Sequence, residues 1–274
     1  MTCVFVLGKP AERSPTIAAA IQDLRGRGID VRTLVPEAAS AGAGSSGATG
    51  SGGEAGPDDG AWRVDGKMRL VRQDLTGARL IAQRGLAPEV LDLLTPWARR
   101  CCNDPVATAL THRRAVLLDV LARAGLAVPR TSLEPDYQDA RAAGAVIKAA
   151  DARAGRGAGV LLPGTAPAEP PFPGPYLLQE HLEGWEAKMY VFGAQVRSAR
   201  RPGGRQSGGE VYTPAADHAD LARAAAGAVG VELCGVDLMI TADGPVVIDV
   251  NAFPSATKIP GAAGLIAAHL VTRL

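Results

Sequence analysis

Residues 2–36 read strand, helix, strand, and that order is the strongest constraint the chain places on its own fold. "TCVFVLG" (2–8) is an apolar run stopped by glycine. "PTIAAAIQDLRGRG" (15–28) sets Ile17, Ile21 and Leu24 at helical spacing ahead of another glycine stop, and "IDVRTLVP" (29–36) is extended again. A helical crossover between two strands leaves them parallel, so the chain is expected to open with a parallel-sheet α/β domain. Residues 38–60, nearly all Ala, Gly and Ser, hold too little apolar surface to offset their ordering entropy. They are expected to form a disordered insertion without chemistry. "ARLIAQRG" predicts a further strand and "APEVLDLLTPWARR" (87–100) a helix.

The 274 residues suit two or three small α/β units, and 47% hydrophobic content is enough to build their cores. A formal net charge of +1 gives no electrostatic footprint for nucleic acid or an anionic membrane. Cys3, Cys101, Cys102 and Cys234 show no C-x-x-C spacing and read as free thiols of a reducing compartment. With no signal peptide and no apolar run near the ~18 residues of a membrane span, a cytoplasmic protein is expected.

Beyond residue 103 the chain reads as a helix over about 111–124, a strand–glycine loop–strand over 144–162, and a Pro-rich loop over 163–175. "YLLQEHLEG", a hairpin "EAKMYVFGAQVRSARR", a helix over 219–230 and a second hairpin "CGVDLMITADGPVVIDVN" follow.

The second hairpin carries the clearest chemistry. If Ala242-Asp243-Gly244 is a three-residue loop, Thr241 pairs with Pro245 and Asp237 falls opposite Asp249. Asn251, two residues on, shares the face of Asp249. Two close carboxylates repel, and an oxygen-bound divalent cation resolves that conflict. A two-residue loop would instead put the carboxylates on opposite faces, leaving a solvated hairpin.

Lys148 ends a strand ahead of Gly155, Gly157 and Gly159, an arrangement that suits a phosphate clamp or, equally, a mobile basic loop. In the first hairpin a two-residue turn at Gly193-Ala194 pairs Phe192 with Gln195. The count then puts Glu186, Lys188, Tyr190, Arg197 and Arg201 on one face and Arg200 on the other. A surface ion-pair ladder is the plain alternative. Backbone groups near Glu180 and Leu182 could meet a flat base, with Glu183 on a ribose. The four histidines show no ligand spacing.

Taken in order, the strand lysine, glycine flap, "LLQEHLEG", "KMYVFG", "ARR", "GVDLMI" and "VIDVNAFPS" resemble an ATP-grasp enzyme over roughly residues 103–274. The resemblance implies an N-terminal domain (1–102), a central ATP-grasp subdomain with the flap (103–175) and a C-terminal subdomain with a magnesium site (176–274). ATP would lie between the two subdomains with Mg²⁺, or Mn²⁺ in its place. Asp237, Asp249 and Asn251 resemble the metal ligands, and Lys148 the lysine on the nucleotide phosphates. Gly155, Gly157 and Gly159 resemble the flap, and Gln179, Glu180, His181 and Leu182 the adenine hinge. Glu183 or Glu186 would take the ribose. Lys188, Arg200 and Arg201 resemble the catalytic basic groups. Arg114 stands where many relatives carry a phosphate-binding lysine.

Two branches fit. The α-L-glutamate ligase-like branch joins a carboxylate to an amine through an acyl phosphate and is favoured by "GRGAGV". The inositol trisphosphate 5/6-kinase-like branch is favoured by "DVNAFPSATKIPGAA", though its flap-region Ser-His is missing. A non-catalytic ATP-binding protein is a third reading. A small-molecule or short-peptide acceptor is implied, reached through the N-terminal domain and loops 163–175 and 202–216. A homo-oligomer is compatible with the pattern; nucleic acid and membrane partners are not expected.

Overall fold

The computed structural model describes residues 1–35, 75–151, 159–200 and 210–274. The expected insertion at 38–60, Gly155, Gly157 and Arg201 lie outside the described residues.

The opening unit is built as its alternation requires. Strand β1 (Thr2–Leu7) pairs in parallel with β2 (Asp30–Leu34) and β3 (Leu80–Arg84), and β3 pairs in parallel with β4 (Cys101–Cys102). Sheet order is β2-β1-β3-β4. Helix α1 (Pro15–Gly26) buries Ile17, Ile21 and Leu24, the three residues its periodicity singles out. Helix α2 (Pro88–Leu94) is shorter than the helix expected over 87–100 and continues as 3-10 turns over Thr95–Arg100. Pro96 has no N–H to continue an α-helical ladder.

Beyond Asn103 come two helices. Helix α3 (Pro105–Leu110) is capped by Asp104, whose side chain accepts from the backbone N–H of Val106 and Ala107. Helix α4 (Arg114–Arg123) ends just before Gly125, at φ +78°, the stop its sequence announces. A four-stranded antiparallel sheet follows, ordered β5-β8-β6-β7 from β5 (Thr131–Glu134), β6 (Val146–Ala149), β7 (Val160–Leu161) and β8 (Tyr176–Gln179). Because β8 bonds to both β5 and β6, this sheet runs past residue 175. Helix α5 (Tyr137–Ala142) packs beside it, with Tyr137 in a small core of Ile147, Phe172 and Tyr176.

The last sheet is ordered β11-β10-β9-β12-β13: β9 (Trp185–Phe192), β10 (Gln195–Arg200), β11 (Glu210–Tyr212), β12 (Leu233–Thr241) and β13 (Gly244–Ala252). One face, with Ala187, Met189, Val191, Val236 and Leu238, packs on α4 and on α6 (Ala216–Val229). At one end of the other face, Tyr190, Phe192 and Leu233 join Cys3, Phe5 and Leu7 of the first sheet in one core. A terminal helix, α7 (Ala262–Arg273), adds Ile266 and Leu270 to that core; the sequence reading did not isolate it.

Glu232, at the corner between α6 and β12, fastens these parts together. Its backbone N–H donates to Asn103 Oδ1 at 2.7 Å and its carbonyl accepts from Gly193 N–H at 2.9 Å. Its carboxylate meets His269 Nε2 at 3.0 Å and also holds Arg273. The His269 hydrogen bond, helped by Arg273, lowers the carboxyl to about 2 from its ordinary 4.5. A group whose folded pKa is depressed stabilises the fold above its unfolded pKa and loses that contribution as pH falls toward the folded value. The melting-temperature gap between wild type and Glu232→Gln should therefore be full above pH 4.5 and shrink toward pH 2. A gap that does not vary with pH in a chelating buffer would refute the ionic role of this carboxylate.

Candidate active site

Asp237 and Asp249 do face one another, by a different route from the expected three-residue loop. The turn has two residues: Thr241 pairs with Gly244 and Ile240 with Pro245. That register continues to Leu238↔Val247 and would place Asp237 opposite Ile248. A bulge between Leu238 and Asp237 takes up Ile248, and the ladder resumes at Asp237↔Asp249, Val236↔Val250 and Gly235↔Asn251. One extra residue inverts the pleat. Val247 and Val250 consequently both reach the core on the helical face, while Asp249 and Asn251 lie with Asp237. Asn251 Nδ2 approaches Asp237 Oδ2 at 3.4 Å.

The strand that follows leaves the sheet at a strained corner. Phe253 has φ +41°, a left-handed value that costs a bulky residue on the order of 1–3 kcal/mol. Its N–H donates to Leu233 O at 2.6 Å, and Arg84 of the first sheet donates to its carbonyl at 3.1 Å.

Cations surround the acidic pair. Lys188 Nζ lies 2.6 Å from Asp237 Oδ1, both side chains nearly buried. Arg114 Nε is 3.9 Å from Asp249 Oδ2, and its Nη1 donates to the carbonyl of Ala149 at 2.9 Å. Lys148 Nζ donates to the carbonyl of Ile248, the bulge residue, at 3.2 Å. Burial pushes the Lys148 ammonium below its ordinary pKa, while Asp249 pulls the other way. Asp249 is pushed up, again chiefly by burial, against Lys148 and Arg114. Each charge is costly alone and tolerable beside the others.

The ladder β9–β10 follows the expected register, with Phe192↔Gln195 and Lys188↔Ala199. Arg200, paired with Ala187, is on the opposite face, its guanidinium 4.8 Å from the centroid of Trp185. Strand alternation turns it away from Lys188, with which it was grouped as a catalytic residue, and onto an aromatic ring. Glu183 is exposed, whereas Glu186 lines the central cavity. Gly159, at φ +77°, leaves room for Arg114; a Cβ there would lie 2.9 Å from that of Ala149.

Between the two antiparallel sheets lies a cavity of about 190 Å³, lined by Lys148, Gln179 to Leu182, Glu186, Asp237 and Asp249. Val146, Val160 and Leu162 line it from the central sheet, and Met239 and Ile248 from the last sheet. These apolar residues were not anticipated as site residues, because a buried strand valine looks the same whether it faces a core or a ligand. Gln179 Nε2, buried and without a hydrogen-bond partner among the described residues, is a donor on a cavity-lining side chain.

This architecture is the ATP-grasp fold: two sheets closing on a cleft, with paired acids on the last hairpin and lysines facing them. Residues 194–274 match the model of the RimK-like ATP-grasp domain. A probable alpha-L-glutamate ligase 1 of Pseudoalteromonas atlantica is 30% identical over 195 residues, which cover 62% of this chain and 64% of that relative. The chain thus spans just under two thirds of the length of that curated relative. The ATP-grasp ligase PsnB, solved with a phosphomimetic variant of its minimal precursor, Mg and ADP, superposes with a TM-score of 0.65 at 20% identity, covering 100% of this chain and 99% of PsnB. The macrocyclase MdnC of Microcystis aeruginosa, bound with its precursor peptide MdnA, gives a TM-score of 0.66 at 14% identity, covering 99% of each chain.

Two substitutions probe this geometry. Gly159→Ala should destabilise by about 1–2 kcal/mol from the left-handed backbone alone, more once the Ala149 contact is included, read by denaturant unfolding. Arg200→Ala should cost only about 0.5–1 kcal/mol, the usual size of an exposed cation–π contact. A much larger loss of stability in Arg200→Ala would contradict the face assigned to that side chain.

Proposed function

We propose that the chain is an ATP-dependent carboxylate–amine ligase, working at the cleft between a central subdomain and a C-terminal subdomain behind an N-terminal domain of residues 1–102. The observation that carries this reading is the facing Asp237–Asp249 pair, ringed by Lys148, Lys188 and Arg114 at a cavity with apolar walls. The ligase names of the relatives support it over phosphotransfer to a hydroxyl or a non-catalytic ATP-binding role.

The cavity suits a nucleotide. Val146, Val160, Leu162, Met239 and Ile248 offer apolar surface to a base, Gln179 an unpartnered buried donor, and the segment to Leu182 a rim. Glu186 is favoured over Glu183 for the ribose because it lines the cavity. Asp237, Asp249 and Asn251 would hold Mg²⁺, or Mn²⁺, since all three offer oxygen donors on one face. Bound there, such an ion supplies charge neutralisation for phosphate. Lys148 and Arg114 are placed to bind phosphate oxygens, and Lys188 to meet charge that develops during transfer. Arg201 is retained as a second such group on the sequence count alone.

A substrate carboxylate oxygen would attack the terminal phosphorus of ATP, releasing ADP and leaving an acyl phosphate. An amine nitrogen would then attack the acyl carbon, losing a proton and expelling phosphate. The acceptor is proposed to be a small molecule or short peptide, in line with the precursors with which PsnB and MdnC were solved. Four buried free cysteines accord with a reducing cytosol, and among the described residues no helix is long and apolar enough to cross a membrane.

An ATP-consumption screen with amino acids and short peptides should give ADP release that requires both a carboxylate and an amine, with a product lighter by water than its two parts by mass spectrometry. A phosphorylated product would replace the ligase by a kinase. Asp249→Asn should lower magnesium-dependent turnover by at least about tenfold, one decade per ~1.4 kcal/mol of lost transition-state stabilisation, while the fold persists. Unchanged rate and magnesium dependence would remove Asp249 from the site.

A further inference from the structure

A second cluster of ligand-bearing side chains lies apart from the cleft, where the first sheet meets the last. Cys102 ends β4, Glu232 sits at the corner before β12, and His269 is on α7. One ligand atom from each lies within 4.8 Å of the other two. Among the described residues this is the one group of three or more His, Cys, Asp and Glu side chains so gathered. No local spacing announces it, because its members are contributed by three distant segments.

The geometry points to a binding site for a thiophilic divalent cation, with Zn²⁺ as the natural occupant. Sulfur, imidazole nitrogen and carboxylate oxygen are the donor types such an ion combines. With bonds of about 2.0–2.3 Å, a tetrahedral ion holds its donors roughly 3.3–3.8 Å apart. His269 Nε2 and Glu232 Oε2 are already 3.0 Å apart, so a small outward movement admits the ion between them.

Two of the three donors are also held from behind, as ligands of a built site are. Arg273 grips Oε1 of Glu232 and leaves Oε2 directed at His269. The Glu232 backbone is fixed on both sides, to Asn103 and to Gly193. Gly193 packs so closely on the imidazole that a Cβ there would lie 2.4 Å from Nδ1, which restrains the ring. Access is graded: the Glu232 side chain is 36% exposed, His269 12%, and Cys102 0%. An ion enters past the carboxylate and reaches sulfur last, with water completing the coordination.

Binding releases the Cys102 thiol proton to solvent and replaces the His269–Glu232 hydrogen bond by two metal–ligand bonds; the proton on His269 Nε2 leaves to solvent while Nδ1 keeps or takes up one, so that the neutral imidazole binds as its Nδ1–H tautomer. No electron transfer is involved. The ion would join the N-terminal sheet to the corner of the last sheet and to α7, so it would act on stability rather than on the cleft. The all-oxygen set at Asp237, Asp249 and Asn251 selects harder ions, which keeps the two sites chemically separate.

The test uses the full chain, stripped with a chelator, kept reduced, and titrated with Co²⁺ as a spectroscopic substitute. A thiolate-to-cobalt charge-transfer band should grow to one equivalent and be abolished by Zn²⁺, and Zn²⁺ should raise the melting temperature. The oxygen-only cleft site cannot produce that band, so the result is independent of whether the ligase reading holds. Cys102→Ser should abolish the band while Cys101→Ser keeps it. His269→Gln should weaken Co²⁺ binding about tenfold or more, and this variant decides the matter if Cys102→Ser does not fold. Absence of the band, its survival in Cys102→Ser, or unchanged affinity in His269→Gln would overturn the site.

Discussion

Everything in the cleft depends on two carboxylates being forced to share one face of one hairpin. Asp237 and Asp249 are cross-strand neighbours, and at that separation like charges oppose one another strongly unless cations intervene. The surrounding positive groups belong to different parts of the chain: Arg114 to a helix, Lys148 to the central sheet, Lys188 to the adjacent strand. The repulsion is thereby relieved by bringing separate units together. An acidic hairpin on its own would have no reason to dock there.

The bulge at Ile248 makes the arrangement compatible with a core. A regular ladder from the same turn would have put Asp249 opposite Val236, whose side chain belongs to the core against the helices. Absorbing one residue lets β13 send Val247 and Val250 to that core and Asp249 to the cleft. It also frees the Ile248 carbonyl from its place in the ladder, and this is the carbonyl that Lys148 finds. A single irregularity supplies both the acid pair and an acceptor for the buried lysine.

Much of this was legible in the sequence, though not always for the right reason. The strand–helix–strand opening, both hairpins and the glycine stops follow from periodicity and turn chemistry, which are local. The facing carboxylates were anticipated from a three-residue loop that does not exist; a two-residue turn and a bulge shift the register in compensating directions. Bulges have no reliable local signature, so only the endpoint could be argued. The turn at Gly193-Ala194 was readable because its pairing is regular, and the same count turned Arg200 away from Lys188. The apolar lining, with Met239 and Val146 in it, was not distinguishable from core. Cys102, Glu232 and His269 meet only through tertiary structure, which no spacing records.

The Lys148 contact has a mechanical meaning. Its ammonium is anchored in one sheet and its acceptor in another, so that this hydrogen bond spans the gap between them. If the sheets part by an ångström or two, a nearly buried cation loses its acceptor and must either follow or meet a replacement. The cleft width is therefore restrained by this side chain, together with Arg114 between Ala149 and Asp249. An anion that took over the lysine would relax that restraint, and the spacing of the two sheets would then answer to what lies between them.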